Sequence, residues 1–151
     1  MWPIAWFLVL QTDPTTHHAR AHLSSAELHE RANQLASAWH EVSRAKEMAR
    51  SSPDRELRQH IEMRVAQLLP RVGYRRLDVR VMGDVVVEQN GVPVPAFEWG
   101  HAEPIDSGTY VWTARMGGLE FWRFEGTAGD GTTLQVTPEL PYMPPSDDSP
   151  N

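Results

Sequence analysis

Aromatic and arginine side chains are concentrated in residues 111–124, which read VWTARMGGLEFWRF. Exposed aromatic rings beside guanidinium groups can stack on a sugar ring or a nucleic-acid base and donate hydrogen bonds to it. The same stretch also has the pattern of a β-hairpin with a buried face, because its Gly-Gly step is typical of a tight turn. The register of that hairpin decides between a binding surface and a core.

The loop length sets this register. A two-residue loop at residues 117–118 puts Trp112 opposite Arg123, so that each face mixes apolar and charged side chains. A three-residue loop at residues 116–118 puts Trp112 opposite Trp122. One face then holds four aromatic residues, namely Tyr110, Trp112, Trp122 and Phe124. Because burial favours the register with the cleaner apolar face, we predict the three-residue loop and a contact between Trp112 and Trp122.

Three residues then remain as candidate ligand contacts, namely Trp99, Phe121 and Arg123. Phe121 and Arg123 fall on the outer face of the hairpin, and Trp99 lies in the preceding loop. Exposed aromatic side chains of this kind are suited to a carbohydrate. A carbohydrate-binding module that uses them is therefore one alternative for the function.

Patterns for catalysis and metal binding are weak. His101, Asp106 and Ser107 are residue types of a catalytic triad, but they lie within one loop and no oxyanion motif accompanies them. His18 and His22 are spaced as ligands on one helix face would be, yet they precede the predicted start of a helix and no third ligand follows at a recognisable spacing. We therefore predict a protein that is not an enzyme and that holds no metal and no cofactor.

Charge is divided unevenly along the chain. Residues 1–76 carry 11 basic and 8 acidic side chains, a net charge of +3, whereas residues 77–151 carry 3 basic and 12 acidic ones, a net charge of −9. Phosphates need a positive surface, so we predict no nucleic-acid partner. Arginines 71, 75 and 76 stand at the boundary, and we expect them to pair with acidic side chains of the second half. The absence of cysteine excludes disulfides and thiolate chemistry.

Helical signals run through residues 23–76. A Ser-Ser-Ala-Glu capping box starts at Ser24, and apolar residues at helical spacing then predict a helix over residues 25–50. Pro53 begins a second helix, which ends at Pro70. The short link predicts an antiparallel helical hairpin, through which the chain could also form a homo-oligomer.

Residues 77–140 have the pattern of a small antiparallel β-sandwich, which makes the fold class α+β. Apolar and polar residues alternate from Leu77 onward, and Asn90-Gly91 is a strong hairpin-turn signal. Pro93 and Pro95 cannot donate backbone hydrogen bonds, so the strand that holds them should lie at a sheet edge. A loop at residues 97–108 is followed by three predicted strands, at residues 109–115, 119–125 and 132–136.

The two ends of the chain differ from the rest. Residues 1–22 begin with the apolar run MWPIAWFLVL and continue as a polar linker. The run is far shorter than the ~20 residues of a membrane-spanning helix, so we predict no integral membrane span. Its length suits a signal-peptide core, although an apolar strand or helix packed on the domain is the alternative. Residues 141–151 are rich in proline and acidic side chains and are predicted to be a disordered tail.

The segment VVVEQNGVPVPAFEWGHAEPIDSGTYVWTARMGGLEFWRFEGTAGDGTTLQVTPEL resembles the PEGA-like β-sandwich modules of bacterial, myxobacterial-type cell-envelope proteins. Shared features are the Pro-x-x-Ser-Gly-x-Tyr sequence, the alternating strands with glycine turns, and the final Pro-x-Leu. The resemblance covers residues 77–140. It implies an exported, non-catalytic module for adhesion or scaffolding in the periplasm or cell envelope.

These expectations converge on a non-catalytic, envelope-associated structural or interaction module. Its partner would be another protein or a cell-wall polysaccharide. The carbohydrate-binding module described above is one alternative. The other is an intracellular, cytoplasmic coiled-coil adaptor whose apolar N-terminal run belongs to its own fold.

Overall fold

The computed structural model describes residues 13–80 and 83–139. The apolar N-terminal run and the predicted disordered tail lie outside the described residues, so both stay predictions. Within the described residues, three helices precede seven strands, and a short 3-10 helix interrupts the strands. The predicted α+β class is confirmed. No helix of this part of the chain combines the length and the apolar character needed to cross a membrane.

The helices are α1 (Pro14–Arg31), α2 (Leu35–Ala49) and α3 (Arg55–Leu68). Helix α1 starts earlier than predicted, because Asp13 accepts a hydrogen bond from the Thr15 backbone N–H and Pro14 suits the first helical position. Most of the predicted linker is therefore helical. Ser24 lies inside α1, where its hydroxyl donates to the Arg20 carbonyl, so the predicted capping box is wrong.

The single helix predicted over residues 25–50 is interrupted. Helix α1 ends at Arg31 and α2 begins at Leu35, and between them Asn33 has φ 58°. Asparagine tolerates this left-handed conformation better than most residues, so it can reverse the chain in a short turn. The predicted two-helix hairpin is therefore wrong: α2 packs against both α1 and α3.

One core cluster lies among the helices and is dominated by alanine and aliphatic side chains. Its buried members are Ala19, Leu23, Ala26, Leu35, Ala36, Ala38, Val42, Ala45, Ala49, Leu57, Ile61, Leu68 and Val72. Small side chains at a helix contact shorten the distance between the axes. Polar groups buried at the edge of this cluster are paired, since the hydroxyls of Thr16 and Ser52 form a hydrogen bond of 2.7 Å.

The strands are β1 (Gly73–Leu77), β2 (Val85–Gln89), β3 (Val92–Pro93), β4 (Ala102–Ile105), β5 (Gly108–Met116), β6 (Leu119–Ala128) and β7 (Thr133–Val136). They form a three-stranded sheet of order β4-β1-β7 and a four-stranded sheet of order β3-β2-β5-β6. Strands β1 and β7 are parallel, so the prediction of a wholly antiparallel region is wrong. Strand β1 begins within the segment predicted to be helical, and β4 occupies part of the predicted loop.

The hairpin of β2 and β3 is confirmed. Asn90 and Gly91 have φ 50° and 78°, the positive values that both central residues of a type I′ turn require. Strand β3 lies at the edge of its sheet, as its proline predicted.

The predicted register of the hairpin between β5 and β6 is wrong. Met116 pairs with Leu119, so the loop contains two residues and not three. Gly117 and Gly118 have φ 57° and 82°, which again suit a type I′ turn.

A β-bulge shifts the register of β5 and β6 farther from this turn and so changes which side chains share a face. Ala114 pairs with Trp122 while the next residue of β5 pairs with Glu120, which leaves Phe121 as the extra residue. Beyond the bulge Trp112 pairs with Phe124 and not with Trp122. The predicted aromatic residues thus share one face of the hairpin, but through different pairs.

A second core cluster joins the two sheets. Its buried members are Leu77, Val87, Val94, Ile105, Trp112, Ala114, Ala128 and Val136. Trp112 is completely buried and has the largest side chain of the cluster. Because β1, β4 and β7 contribute as well as β2, β5 and β6, the cluster fixes the two sheets against each other.

Candidate functional site

A buried arginine stands at the centre of the β region. In β1 the side chains alternate, so that Gly73, Arg75 and Leu77 are buried while Arg76 is exposed. Arg75 keeps only 8% of its surface exposed. Burying a charge is costly unless it is paired and hydrogen-bonded, so the surroundings of Arg75 must supply partners.

Glu98 is the ionic partner of Arg75. Glu98 is the last residue of the short 3-10 helix Ala96–Glu98. Just after this helix, the Gly100 N–H donates a hydrogen bond of 2.8 Å to the Leu77 carbonyl of β1, which holds the segment beside that strand. Arg75 Nη2 then donates to Glu98 Oε2. The predicted pairing of the boundary arginines with acids of the second half is confirmed for Arg75.

The other two boundary arginines behave differently. Arg71 lies 3.6 Å from a carboxylate oxygen of Glu30 in α1, so it pairs within the helical region. Arg76 points away from the core and is exposed. Only Arg75 therefore carries its charge into the space between the sheets.

The ring of Trp112 packs against the guanidinium group of Arg75. The Arg75 Cζ atom lies 5.6 Å from the centroid of the Trp112 ring, within the range of a cation–π interaction. In the described part of the chain, three buried side-chain nitrogens have no hydrogen-bond partner: Arg75 Nη1, Trp99 Nε1 and Trp112 Nε1. All three are donors, so this region has unused N–H groups and a shortage of acceptors.

A groove opens above Arg75. Its volume is about 410 Å³, which is within the usual size of ligand pockets. The lining residues are Arg75, Gln89, Asn90, Val92, Pro93, Val94, Pro95 and Glu98. Phe97, between two lining residues, is 79% exposed, and Val92 is 66% exposed. The groove thus combines an apolar wall with the buried residue Arg75.

The wall formed by β3 cannot donate backbone hydrogen bonds outward. Val94 directs its N–H inward, to the Val87 carbonyl at 2.8 Å. Successive residues of a strand alternate in this direction, so Pro93 and Pro95 occupy the outward positions. Neither has an N–H, which prevents a partner strand from pairing there in the usual way.

The candidate contacts predicted from the sequence lie elsewhere. Trp99 and Phe121 are half-buried and pack against the second core cluster. Arg123 is exposed, 3.7 Å from a carboxylate oxygen of Glu120. No hydrogen bond or ion pair among the described residues links Trp99 to the other two. Phe97, the most exposed aromatic residue there, was missed, because nothing local distinguishes it from Trp99.

Asp106 has a structural role in place of the catalytic one considered above. Its Oδ1 accepts from the backbone N–H groups of Ala36 at 2.7 Å and Ser37 at 3.3 Å, and its Oδ2 accepts from the Ser37 hydroxyl at 2.8 Å. Helix α2 has no side-chain cap of its own, so Asp106 caps it from the β region. The Tyr110 hydroxyl donates to the Asp106 carbonyl at 2.8 Å, and burial raises the pKa of that hydroxyl.

No hydrogen bond among the described residues connects His101 with Asp106 or Ser107. In the same part of the chain, no group of three or more histidine and acidic side chains is arranged to hold a metal ion.

A second pocket, of about 180 Å³, lies between α2 and α3. Its basic side chains are already engaged: Lys46 pairs with Glu62 at 3.0 Å, Arg50 pairs with Glu47 at 3.2 Å, and Arg58 donates to the Ser52 carbonyl. Of these two pockets, the groove at Arg75 is the better candidate, because one of its lining residues has a buried donor without a partner.

Comparison of the chain with protein-family models, curated proteins and solved structures finds no match. The assignment of a function therefore depends on the geometry of the groove.

Proposed function

We propose that this chain is a non-catalytic interaction module, which binds a segment of another protein or of a polysaccharide in the groove beside Arg75. The observation that carries this proposal is the buried guanidinium at the base of the groove, with Nη1 unpaired. A buried donor without an acceptor costs about 1–3 kcal/mol. A ligand that supplies the acceptor recovers part of that free energy on binding.

Two further features support binding over catalysis. Glu98 holds the guanidinium, and Asp106 caps α2, so both acids have structural partners. The lining residue Val92 is exposed, and so is Phe97, which precedes the lining residue Glu98 in the sequence. Exposed aromatic side chains are common anchors in interfaces.

We further propose that the β region is a PEGA-like sandwich of an exported envelope protein. A core cluster shared by two sheets supports the sandwich, and the Pro-x-x-Ser-Gly-x-Tyr sequence before and within β5 supports the resemblance. Sequencing of the N-terminus of the native protein tests the export. An N-terminus that still carries the apolar run would argue against it.

Binding is tested by screening the purified protein against a random peptide display library and a glycan array. At least one ligand should bind, and its affinity should fall about tenfold or more in Phe97→Ala. The matched control is Leu119→Ala, since Leu119 is 76% exposed but lies at the turn between β5 and β6. If no ligand is found, or if every ligand tolerates Phe97→Ala, the groove is not the binding site.

A further inference from the structure

We infer that the groove binds an extended peptide segment that is electrically neutral. This inference rests on the proposed function and specifies its ligand. Four properties of the groove carry it: the charge balance at Arg75, the excess of donors, the apolar rim and the two edge prolines.

The charge of Arg75 is already balanced. Glu98 accepts a hydrogen bond from Nη2, so the guanidinium and this carboxylate together are neutral. A ligand carboxylate placed beside them would leave one negative charge without a partner cation. Residues 77–151 also carry a net charge of −9, which repels acidic ligands at long range.

The hydrogen-bonding groups of the groove call for a neutral acceptor. Arg75 Nη1 has two N–H donors without a partner, and the Gln89 side-chain amide lines the same space. A backbone carbonyl is a strong, uncharged acceptor and meets both requirements. Because Nη1 is covered from solvent, the guanidinium must turn slightly toward the ligand while Nη2 keeps Glu98.

The apolar wall favours a peptide over a sugar. Val92, Val94 and the two prolines line the groove, and Val92 is exposed at its rim. Sugar hydroxyls placed against such a wall would lose hydrogen bonds to water without replacement. Asn90 offers no free acceptor for the donating hydroxyl hydrogens, because its Oδ1 already accepts from the Val111 N–H at 2.8 Å. Apolar peptide side chains lose nothing there.

The peptide is held by side chains and not as an added strand. Pro93 and Pro95 take the outward positions of β3, so no ladder of donors is offered to a partner strand. A short extended segment, rich in proline or aliphatic residues, fits because it needs few backbone donors from the groove.

The test uses three probes and the ¹⁵N-labelled protein. The probes are acetyl-Leu-Pro-Leu-Ala-amide, the same peptide with glutamate in place of the second leucine, and the neutral oligosaccharide cellotetraose. Titrations to millimolar concentration are followed by shifts of the backbone amide signals of Val92, Val94 and Glu98. We expect the neutral peptide to shift these signals, and the acidic peptide to bind at least about tenfold more weakly.

The Glu98→Gln variant removes the negative charge of this side chain while keeping its shape. This variant leaves the Arg75 charge unbalanced, so the preference should reverse and the acidic peptide should bind more tightly than the neutral one. If Glu98→Gln does not fold, Gln89→Ala serves instead, and it should weaken the neutral peptide about threefold or more. A reversal in Glu98→Gln, or that weakening, supports the inference.

The remaining outcomes distinguish this inference from the proposed function. If cellotetraose shifts the groove signals and the neutral peptide does not, the inference is wrong and the proposed function stands. Equal or tighter binding of the acidic peptide by the unmodified protein has the same meaning. If none of the probes shifts these signals, the neutral-peptide inference is wrong, and the screens with Phe97→Ala and its control Leu119→Ala decide the proposed function separately.

Discussion

The two core clusters of this protein differ in how they treat polar groups. The helical cluster consists of alanine and aliphatic side chains, and the polar pair at its edge, Thr16 and Ser52, is hydrogen-bonded. The β cluster surrounds Trp112 and encloses a charged pair, and all three unpaired buried side-chain donors of the described residues belong to this region. A core that leaves donors unused gives up stability, and such features concentrate at functional sites. This difference is the reason why we propose a binding role for the β region.

The largest effect is expected at Trp112. Trp112→Ala should lower the free energy of unfolding by about 3–5 kcal/mol, because it leaves a large cavity between the sheets. Urea denaturation followed by circular dichroism measures it. Leu35→Ala is the counterpart in the helical cluster and should cost about 2–5 kcal/mol. A loss below about 1 kcal/mol for Trp112→Ala would mean that it does not anchor the β core.

Arg75 and Arg76 provide a matched pair for the next effect. Arg75→Met leaves Glu98 without its partner and removes the guanidinium from Trp112, so stability should fall by about 1–3 kcal/mol. Arg76→Met changes the exposed neighbour and should stay within about 0.5 kcal/mol. Denaturation midpoints of the two variants give the answer. Equal effects would show that burial of Arg75 has no energetic consequence.

Asp106 joins the two regions. Asp106→Ala removes the cap of α2 and should cost about 1–2 kcal/mol. Helix circular dichroism and tryptophan fluorescence should follow one transition in the unmodified protein and move apart in the variant. The control is Asp130→Ala in the exposed turn before β7. Coincident transitions in Asp106→Ala would indicate that the cap does not couple the regions.

The smallest effect concerns Glu41 in α2. His22 Nδ1 lies 2.6 Å from a Glu41 carboxylate oxygen, and this hydrogen bond is the main cause that lowers the pKa of Glu41 below its ordinary value of 4.5. The ionised Glu41 carboxylate therefore contributes its full stabilisation at pH values above the ordinary pKa of 4.5. This stabilisation is lost as the pH falls through the lower pKa of the folded state.

Glu41→Gln should accordingly reduce stability by about 0.5–1 kcal/mol at neutral pH, and the difference from the unmodified protein should shrink in acid. Thermal denaturation at several pH values measures this difference. Glu47→Gln, at an exposed position paired with Arg50, is the control. A difference that is constant with pH would exclude ionisation of Glu41 as the cause.

The β2–β3 turn and the edge position of β3 were predicted correctly from the sequence, whereas the start of α1 and the register of β5 and β6 were not. Asn90-Gly91 permits positive φ at both positions, and prolines exclude central strands, so the β2–β3 hairpin followed from its own residues. At the N-terminus, Asp13-Pro14 and Ser24 both offer helix starts, and burial of Ala19 and Leu23 against α2 favours the earlier one. The predicted β5–β6 register was wrong because the bulge at Phe121 lets a two-residue loop keep the aromatic residues on one face.

The proposed binding groove could be predicted only in part from the sequence. The pairing of Arg75 with an acid of the second half was expected, but the inward direction of its side chain was not, because residues 73–76 were predicted to belong to the helical segment. Glu98 is 23 residues away, and Trp112 lies on the other sheet, so their meeting depends on how the sheets pack. The choice of Phe97 over Trp99 as the exposed ring has the same origin.

The sequence by itself determined that helices precede strands, that the chain turns at Asn90-Gly91 and that β3 lies at a sheet edge, because periodicity, positive φ and the missing proline N–H act over a few residues. The tertiary structure alone decided which charge is buried, which carboxylate caps α2 and which donors are left unpaired. Those outcomes depend on desolvation and on contacts between segments far apart in the chain, and no local pattern encodes them.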